Sequence, residues 1–359
     1  MASGTGSQIA IIRVGSLTLP NTTVMVGSFG GGWRWTNFVS ESIEHTIEEL
    51  EEGALTGNRD TPPSHQGASF GQGDVNFEPN PNAIGSWLYA ATGVLSSQLV
   101  VDAGSTGGNS GNFAGQAGFT HYFVPRQTEH DESSFNEPHA VLVHKDVGSA
   151  WLFNAGPITA LSFNFTAGQL GTSRATLMSK AVGLMGRTSF VTSLVSSGGR
   201  PWIWDSVSVE IGPNSGNLAA ISDFESMELD LTVPHEGIVA LNGEKGYAKF
   251  PSSDFRRLAV NGTLCFQTNS EYEQFVNYEP RHLRITARQS ASSSQLIGNP
   301  SSAFYPTIQI DVPAFKMTSF SAPVGGPNRL VASFRGKGER ADAYGLMVEY
   351  LLTNVTSGY

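Results

Sequence analysis

The stretch that decides the fold begins at Val260 and reads VNGTLCFQTNSEYEQFVN. Leu264 and Phe266 alternate with polar neighbours, which is the period of a strand with one buried face. Asn269 or Ser270 can cap a helix that begins immediately afterwards. The stretch therefore predicts a strand that leads directly into a helix.

The following residues complete the unit. Tyr272 and Phe275 lie at helical spacing, and the sequence RHLRITAR follows from Arg281 to Arg288. Its apolar residues alternate with His and Arg, so a second strand is expected after the helix. The predicted unit is strand, short helix, strand.

A weaker copy of this unit lies upstream, where GDVNFEPN begins at Gly73 and IGSWL begins at Ile84. Four positions of the two copies match at a constant spacing, with Gly73, Val75, Phe77 and Asn80 against Gly262, Leu264, Phe266 and Asn269. A second echo relates Ser162, Phe163 and Ala175 to Ser319, Phe320 and Ala332. These repeats predict two tandem modules, residues 1–196 and 197–359.

Composition narrows the class of protein. The 359 residues contain 21 Lys and Arg against 31 Asp and Glu, a formal charge of −10, which argues against a general nucleic-acid binder. Only 14 % of residues are charged and 41 are glycine, as expected for many short strands joined by turns. Low charge is also typical of a chain whose surface is covered in an assembly.

No targeting segment or disulfide framework is expected. Cys265 is the single cysteine, and its place in a strand predicts a buried, inert thiol. The N-terminus has no basic region followed by an apolar run, and no stretch approaches the ~20 apolar residues of a membrane span.

Two segments are harder to assign. Residues 39–55 carry six glutamates and fit either a helix or a strand; we favour the strand because it suits the repeat. Residues 102–140, rich in Gly and His, are predicted to be a long irregular insert in the first module.

No catalytic, cofactor or metal site is expected. His121, His130, His139 and His144 match no zinc-ligand spacing, so a solvated loop is the preferred interpretation. The glycine-rich segment 104–118 lacks the Lys-Ser/Thr of a phosphate loop. Trp202 and Trp204 could stack on a base or sugar, but strand aromatics usually belong to a core. The chain is therefore predicted not to be an enzyme.

The order and spacing of these elements resemble the tail tube proteins of long-tailed bacteriophages. Two stretches carry the resemblance: residues 59–93, and residues 241–288 continued by YPTIQIDVP from Tyr305 and APVGG from Ala322. The resemblance implies β-sandwich modules, each with a short flanking helix, that join edge to edge into rings around a continuous barrel. A doubled chain implies that three copies form a ring with pseudo-sixfold symmetry. The resemblance further implies that the chain is a structural protein of the virion tail.

Partners and location also follow from the resemblance. The chain is expected to bind itself in rings and in stacks of rings, together with tape measure, tail terminator and tail-tip proteins. DNA would pass through the lumen without specific binding, in a tail assembled in the host cytoplasm, and no membrane is involved. By analogy alone, a doubled module favours a flexible, non-contractile tail of the siphovirus type. The 102–140 insert would then contact the next ring or decorate the outside.

The acidic charge suggests a role in this setting, because an electronegative wall keeps DNA centred and mobile. The candidate lumen residues are Glu41, Glu44, Glu48, Glu228 and Asp230. The alternative function is a virion-associated carbohydrate- or receptor-binding β-sandwich that uses exposed tryptophans such as Trp33, Trp35, Trp202 and Trp204.

Overall fold

A computed structural model describes residues 8–13, 34–51, 63–100, 118–126, 139–145, 149–186, 200–241, 243–266, 270–289, 305–324, 329–354 and 359. The strands of the first half are β1 (Gln8–Arg13), β2 (Arg34–Thr36), β3 (Phe38–Glu41), β4 (Glu44–Glu51), β5 (Ser64–Phe77), β6 (Gly93–Val100), β7 (Gly118–Pro125), β8 (His139–Lys145), β9 (Ser149–Gly156), β10 (Ile158–Thr166), β11 (Thr172–Ser179) and β12 (Ala181–Gly186). Those of the second half are β13 (Val207–Gly212), β14 (Ala219–Ala220), β15 (Phe224–Thr232), β16 (Arg257–Cys265), β17 (Arg281–Arg288), β18 (Thr307–Ser321), β19 (Val331–Gly338) and β20 (Glu349–Asn354). Two α-helices, α1 (Ile84–Thr92) and α2 (Ser270–Asn277), follow β5 and β16. The prediction of a mostly β fold with short flanking helices is confirmed.

The strands form one branched antiparallel sheet and one small sheet. We call the branch with the order β3/β4–β5–β11–β10–β15–β16–β19–β18 sheet I. Sheet II has the order β14–β13–β17–β18–β20–β7–β6. The long strand β18 belongs to both, pairing with β17 and β20 near its start and with β19 from Phe315 to Ser321. Sheet III is the five-stranded β12–β9–β8–β1–β2.

The core lies between sheets I and II because each sheet turns its apolar face toward the other. Phe163 of sheet I and Tyr350 of sheet II approach to 6.0 Å between ring centroids. Helix α1 packs against β10 and β7, and its Trp87 stacks on Phe77 of β5 at 4.9 Å. The helix ends at Gly93, which adopts the left-handed conformation (φ 79°) that glycine tolerates best.

The two halves of the chain are joined by strand pairing. In sheet I, β10 pairs with β15 over seven residues of each strand. In sheet II, β7 of the first half pairs with β20 of the second. One hydrophobic cluster contains buried residues from both halves. The halves therefore share one continuous core.

The strand pairing repeats between the halves. In β5·β11, Val75 lies opposite Ala175, and in β16·β19 the matching Leu264 lies opposite Ala332. The repeated glycines also occupy tight places: a Cβ on Gly73 would lie 2.4 Å from the Ser42 carbonyl oxygen. A Cβ on Gly262 would lie 2.6 Å from the Phe334 ring. Neither position therefore has room for a side chain, although the neighbouring atoms differ.

One of the sequence repeats, Phe163 with Phe320, is not matched by equivalent strand pairing. Phe163 lies opposite Ser173, whereas Phe320 lies opposite Phe334, so β18 is shifted along β19 relative to β10 along β11. The reason is the hairpin between β18 and β19, which is longer than the one between β10 and β11.

Residues 39–55 are extended as far as the structure describes them. Residues 38–41 form β3 and residues 44–51 form β4, and both pair with β5. The strand interpretation is correct for these residues, while residues 52–55 lie outside the described ones.

The prediction of an irregular insert at 102–140 is wrong for residues 118–125, which form β7 between β6 and β20. It is also wrong for residues 139 and 140, which begin β8 and pair with β1. His121 and Phe123 are fully buried on one face of β7. A buried histidine serves here as a core residue because Ser97 Oγ lies 2.8 Å from its Nδ1. The alternation of apolar and polar residues within β7 does not predict this hydrogen-bond partner, because Ser97 lies on another strand.

Cys265 departs from its expected burial. It lies at the end of β16, and it is half-buried rather than buried. Its side chain lies on the polar face of sheet I, because the alternation along β16 buries Leu264 instead.

Candidate assembly surface

The face of sheet I that points away from the core is mostly polar. Directly opposed residues of antiparallel strands point to the same side, so the pairing defines rows across the sheet. One row runs through Asn76, Arg174, Ser162, Asp230, Ala259, Lys337 and Lys316. A second runs through Thr172, Asn164, Glu228, Asn261 and Arg335. We call this surface the polar face.

Two acidic residues of the polar face, Asp74 and Asp230, interact with Arg174. Arg174 Nη2 lies 2.6 Å from Asp74 Oδ2. Burial raises the pKa of Asp230, and so does its neighbour Glu228, while Arg174 acts in the opposite direction. Glu228 accepts a hydrogen bond from Asn261 Nδ2 at 3.3 Å. These carboxylates are held by the sheet pairing rather than on loops.

The five candidate lumen residues do not all share this face. Glu228 and Asp230 lie on it at the centre of sheet I, and Glu44 lies opposite Gln72 at its β4 edge. Glu48 is exposed beside Tyr247, whose pKa is raised by burial and by this carboxylate. Glu41 lies opposite the buried Val75, and its Oε2 accepts the Ile43 amide at 3.0 Å. Glu41 is therefore the least suited of the five to a common acidic surface.

Cations that were not predicted from the sequence lie on the same face. Arg335 and Lys337 alternate with buried Phe334 and Gly336 on β19, and Lys316 lies opposite Lys337 on β18. Lys316 and Lys337 both contact Glu339, each at 2.8 Å. The alternation of Arg335 and Lys337 with apolar neighbours was the available signal. The polar face is thus mixed in charge, with its cations concentrated near β18.

Sheet I also has two open edges. The outer sides of β3 and β4 are not paired with any strand of the described residues. At the other end, β18 from Lys316 to Ser321 pairs with β19 on one side only, again as far as the described chain shows. Unpaired strand edges expose backbone donors and acceptors that another chain can use. These edges, together with the polar face, are the candidate site.

The histidines do not form the solvated group that was expected. His121 is fully buried and His139 is 3 % exposed, so both are core residues. The side chains of His130 and His144 lie outside the described residues. No group of His, Cys, Asp or Glu suited to a metal ion occurs in the described part of the chain.

The tryptophans separate into two kinds. Trp202 is fully buried, and its Nε1 lies 3.4 Å from the Pro306 carbonyl oxygen, so it is core as predicted. Trp204 begins a 3-10 turn and is half exposed. Trp33 and the side chain of Trp35 lie outside the described residues.

No helix of the described residues has both the length and the apolar character needed to cross a bilayer.

These features define a class: a mostly β protein of packed sheets with two flanking helices, a broad polar sheet face and, within the described residues, sheet edges that lack a partner strand. Residues 6–338 match the phage tail tube protein family. The chain belongs to this family, whose members are structural proteins of the virion tail, as the sequence resemblance predicted.

Similar solved structures come from phage-like particles. One is the tail of an empty gene transfer agent particle, 12 % identical, covering 38 % of this chain and 93 % of that chain with a TM-score of 0.29. Another is the virion of a native gene transfer agent particle, 11 % identical, with the same coverage and a TM-score of 0.27. No curated protein is similar enough to this chain to count as a relative.

Proposed function

We propose that copies of this chain assemble into rings that stack into the hollow tail tube, and that DNA passes through the bore. The observation that carries this proposal is sheet I, a wide sheet with one polar face and two open edges in a chain of the tail tube family. Closing such a sheet into a barrel with other copies pairs the exposed edges. The proposed role is structural, without catalysis or cofactor.

The proposed ring is a trimer with pseudo-sixfold symmetry, built from modules 1–196 and 197–359. The repeated pairing of β5·β11 and β16·β19 supports two related modules in each chain. Three chains would then present six similar units around the axis.

Electron microscopy of the purified protein tests both statements. We expect rings or tubes with a central channel, and a ring mass of three chains by native mass spectrometry. Isolated particles without a channel that bind glycans would instead support the alternative of a carbohydrate- or receptor-binding β-sandwich.

We further propose that the polar face lines the bore. Exposed Glu228, half-buried Asp230 and the exposed Glu44 would contribute negative charge there, as predicted. Because Arg335 and Lys337 lie on the same face, the expected wall is mixed, with no continuous basic strip to hold DNA. A tube reconstruction tests this placement, and a wall dominated by Lys and Arg would contradict it.

The role proposed for the insert is contact with the next ring or decoration of the outside. Because β7 pairs within sheet II, a test must keep residues 118–126 and shorten only the flanking residues 102–116 and 127–138. Loss of tube stacking with rings intact is the expected result, and unchanged tubes would contradict a stacking role. Tape measure, terminator and tail-tip proteins remain the proposed partners, with assembly in the host cytoplasm.

A further inference from the structure

Sheet III covers one of the two helices and not the other. It belongs to the first half of the chain, where β9 leads into β10 and β11 leads into β12, and its strand β1 packs on α1. Within the described residues, the second half has no corresponding sheet. Helix α2 therefore keeps an exposed apolar side, formed by Tyr272 and Val276 about one helical turn apart. We call these two residues the α2 patch.

Sheet III lies at one end of sheet I. The connections from β9 to β10 and from β11 to β12 are short, so they place sheet III where β10 begins and β11 ends. Gly71 of β5 lies opposite Ser179, the last residue of β11. A Cβ on Gly71 would meet Phe153 of β9 and Val182 of β12 at 2.7 and 2.9 Å, so the two sheets touch there. We call this the Ser179 end of sheet I.

The α2 patch lies at the opposite end of sheet I. Pairing is antiparallel at every step from β11 through β10, β15, β16 and β19 to β18, so β18 ends, at Ser321, on the side away from Ser179. Helix α2 packs beside this end of β18, because the rings of Tyr272 and Phe275 lie 5.9 and 6.3 Å from that of Phe320. Sheet III and the α2 patch are thus at opposite ends of one sheet.

Opposite ends of sheet I would face different neighbouring rings in a stack. Strands of a closed barrel tilt by about 35–45° from its axis, so one end of each strand points up the axis and the other points down. Given the stacked rings of the proposed function, on which this inference rests, we propose that sheet III of one copy packs on the α2 patch of a copy in the next ring. A contact between two different surfaces repeats without closing on itself, as a growing tube requires.

Charge favours this partner over a second α2. The five strands of sheet III contain Arg13, Arg34 and Lys145 and no acidic residue, in a chain whose formal charge is −10. Helix α2 contains Glu271 and Glu273 and no basic residue. Opposite charges across an interface steer association and fix orientation. A contact between two α2 helices would instead bring glutamates together.

Engineered disulfides in the full-length protein test this contact. In a Cys265→Ser background, Val276→Cys is combined in turn with Arg13→Cys, Lys145→Cys or Leu184→Cys, at three places on sheet III. Within one chain, β12 packs on β5 and α2 packs on β18, and six strand spacings separate β5 from β18 in sheet I, roughly 29 Å. This span is beyond the reach of a disulfide, so any bond formed must join two copies.

We expect oxidation of tubes to give, for at least one pair, a ladder of covalent products that extends beyond three chains. The single variants, and Val276→Cys with Ser208→Cys on β13 as the matched control, should give none. Tubes that form normally but yield no product with any sheet III position overturn the contact and leave the proposed function standing. Cross-linking in isolated rings also overturns it, because the partner would then lie in the same ring. Absence of tubes in the unmodified protein would instead overturn the proposed function.

A substitution on the α2 patch gives an independent measurement. Val276→Lys should raise the protein concentration needed for tube growth about tenfold with rings unchanged, because it removes an apolar contact and places a cation against the basic strands of sheet III. Val276→Leu keeps the patch apolar, so it is the matched control and should grow tubes at the concentration of the unmodified protein. Tube growth by Val276→Lys at that same concentration would contradict the contact.

Discussion

Helices α1 and α2 occupy matching places in the two halves of the chain, yet they differ in how much of their surface is buried. All of α1 except Ala90 is buried, against β10, β7, β1 and β6. Helix α2 packs on β18, where Phe275 meets Phe320, and leaves Tyr272 47 % and Val276 60 % exposed. A repeated element therefore does not imply repeated burial.

The cause of this difference is what covers each helix. Strands β6 and β7, sheet III and Tyr359 all lie on the α1 side, and the described chain supplies no such cover to α2. The second half has instead an ionic group on β17, the strand that follows its helix. His282 Nε2 and Arg284 Nε lie 3.0 and 2.7 Å from Oδ1 of the buried Asp311. Strand β6, which follows α1, contains no ionisable residue.

The largest expected effect is at α1. Trp87→Ala should lower the free energy of unfolding by roughly 3–5 kcal/mol, because it empties a fully buried site against Phe77. Urea denaturation measures the change. A loss below about 1 kcal/mol would show that α1 is not held by its burial.

The second largest loss of stability is expected for the ionic group of His282, Arg284 and Asp311. Asp311→Ala should cost about 3 kcal/mol at pH 7, because it leaves the Arg284 guanidinium without its buried partner. Burial raises the pKa of Asp311, but hydrogen bonds from His282, Arg284 and Gln309 outweigh it and the pKa is lowered from 3.8.

The lowered pKa fixes the sign of the pH dependence. The stabilisation by ionised Asp311 is fully present above pH 3.8 and is lost as the pH falls through the lower folded-state pKa. The difference between Asp311→Ala and the unmodified protein should therefore shrink in acid. Trp87→Ala is the control, and its difference should not follow this titration.

A third substitution tests whether Tyr359 packs tightly against α1. A Cβ on Gly85 would lie 2.2 Å from the Tyr359 ring, so Gly85→Ala should destabilise by roughly 1–3 kcal/mol. Glu273→Ala, at the matching exposed position of α2, should be nearly neutral in the same denaturation measurement. Equal effects at both positions would remove the contrast between the helices.

The smallest effect is expected at α2. Phe275 is half-buried, so Phe275→Ala should cost only about 1 kcal/mol in the isolated chain. A loss comparable to that of Trp87→Ala, measured in the same way, would show that α2 contributes to the core as α1 does.

Much of the fold could be predicted from local alternation. Strand β16, helix α2 and strand β17 lie where the sequence from Val260 to Arg288 places them, because period and capping act over a few residues. The helix sequences even indicate their surroundings, since IGSWLYAAT is apolar and SEYEQFVN contains two glutamates. Strand β7 was missed because its buried His121 depends on Ser97 and on aromatic neighbours from other elements.

The sequence by itself determined the β class, the two strand–helix–strand units and the family. Only the tertiary structure decided which strands are neighbours, which acidic residues share a face with Arg335 and Lys337, and which edges stay open. The physical reason is that the alternation of apolar and polar residues determines only which side of a single strand is buried. Pairing between distant strands depends on the closing of the whole sheet, which no local pattern records.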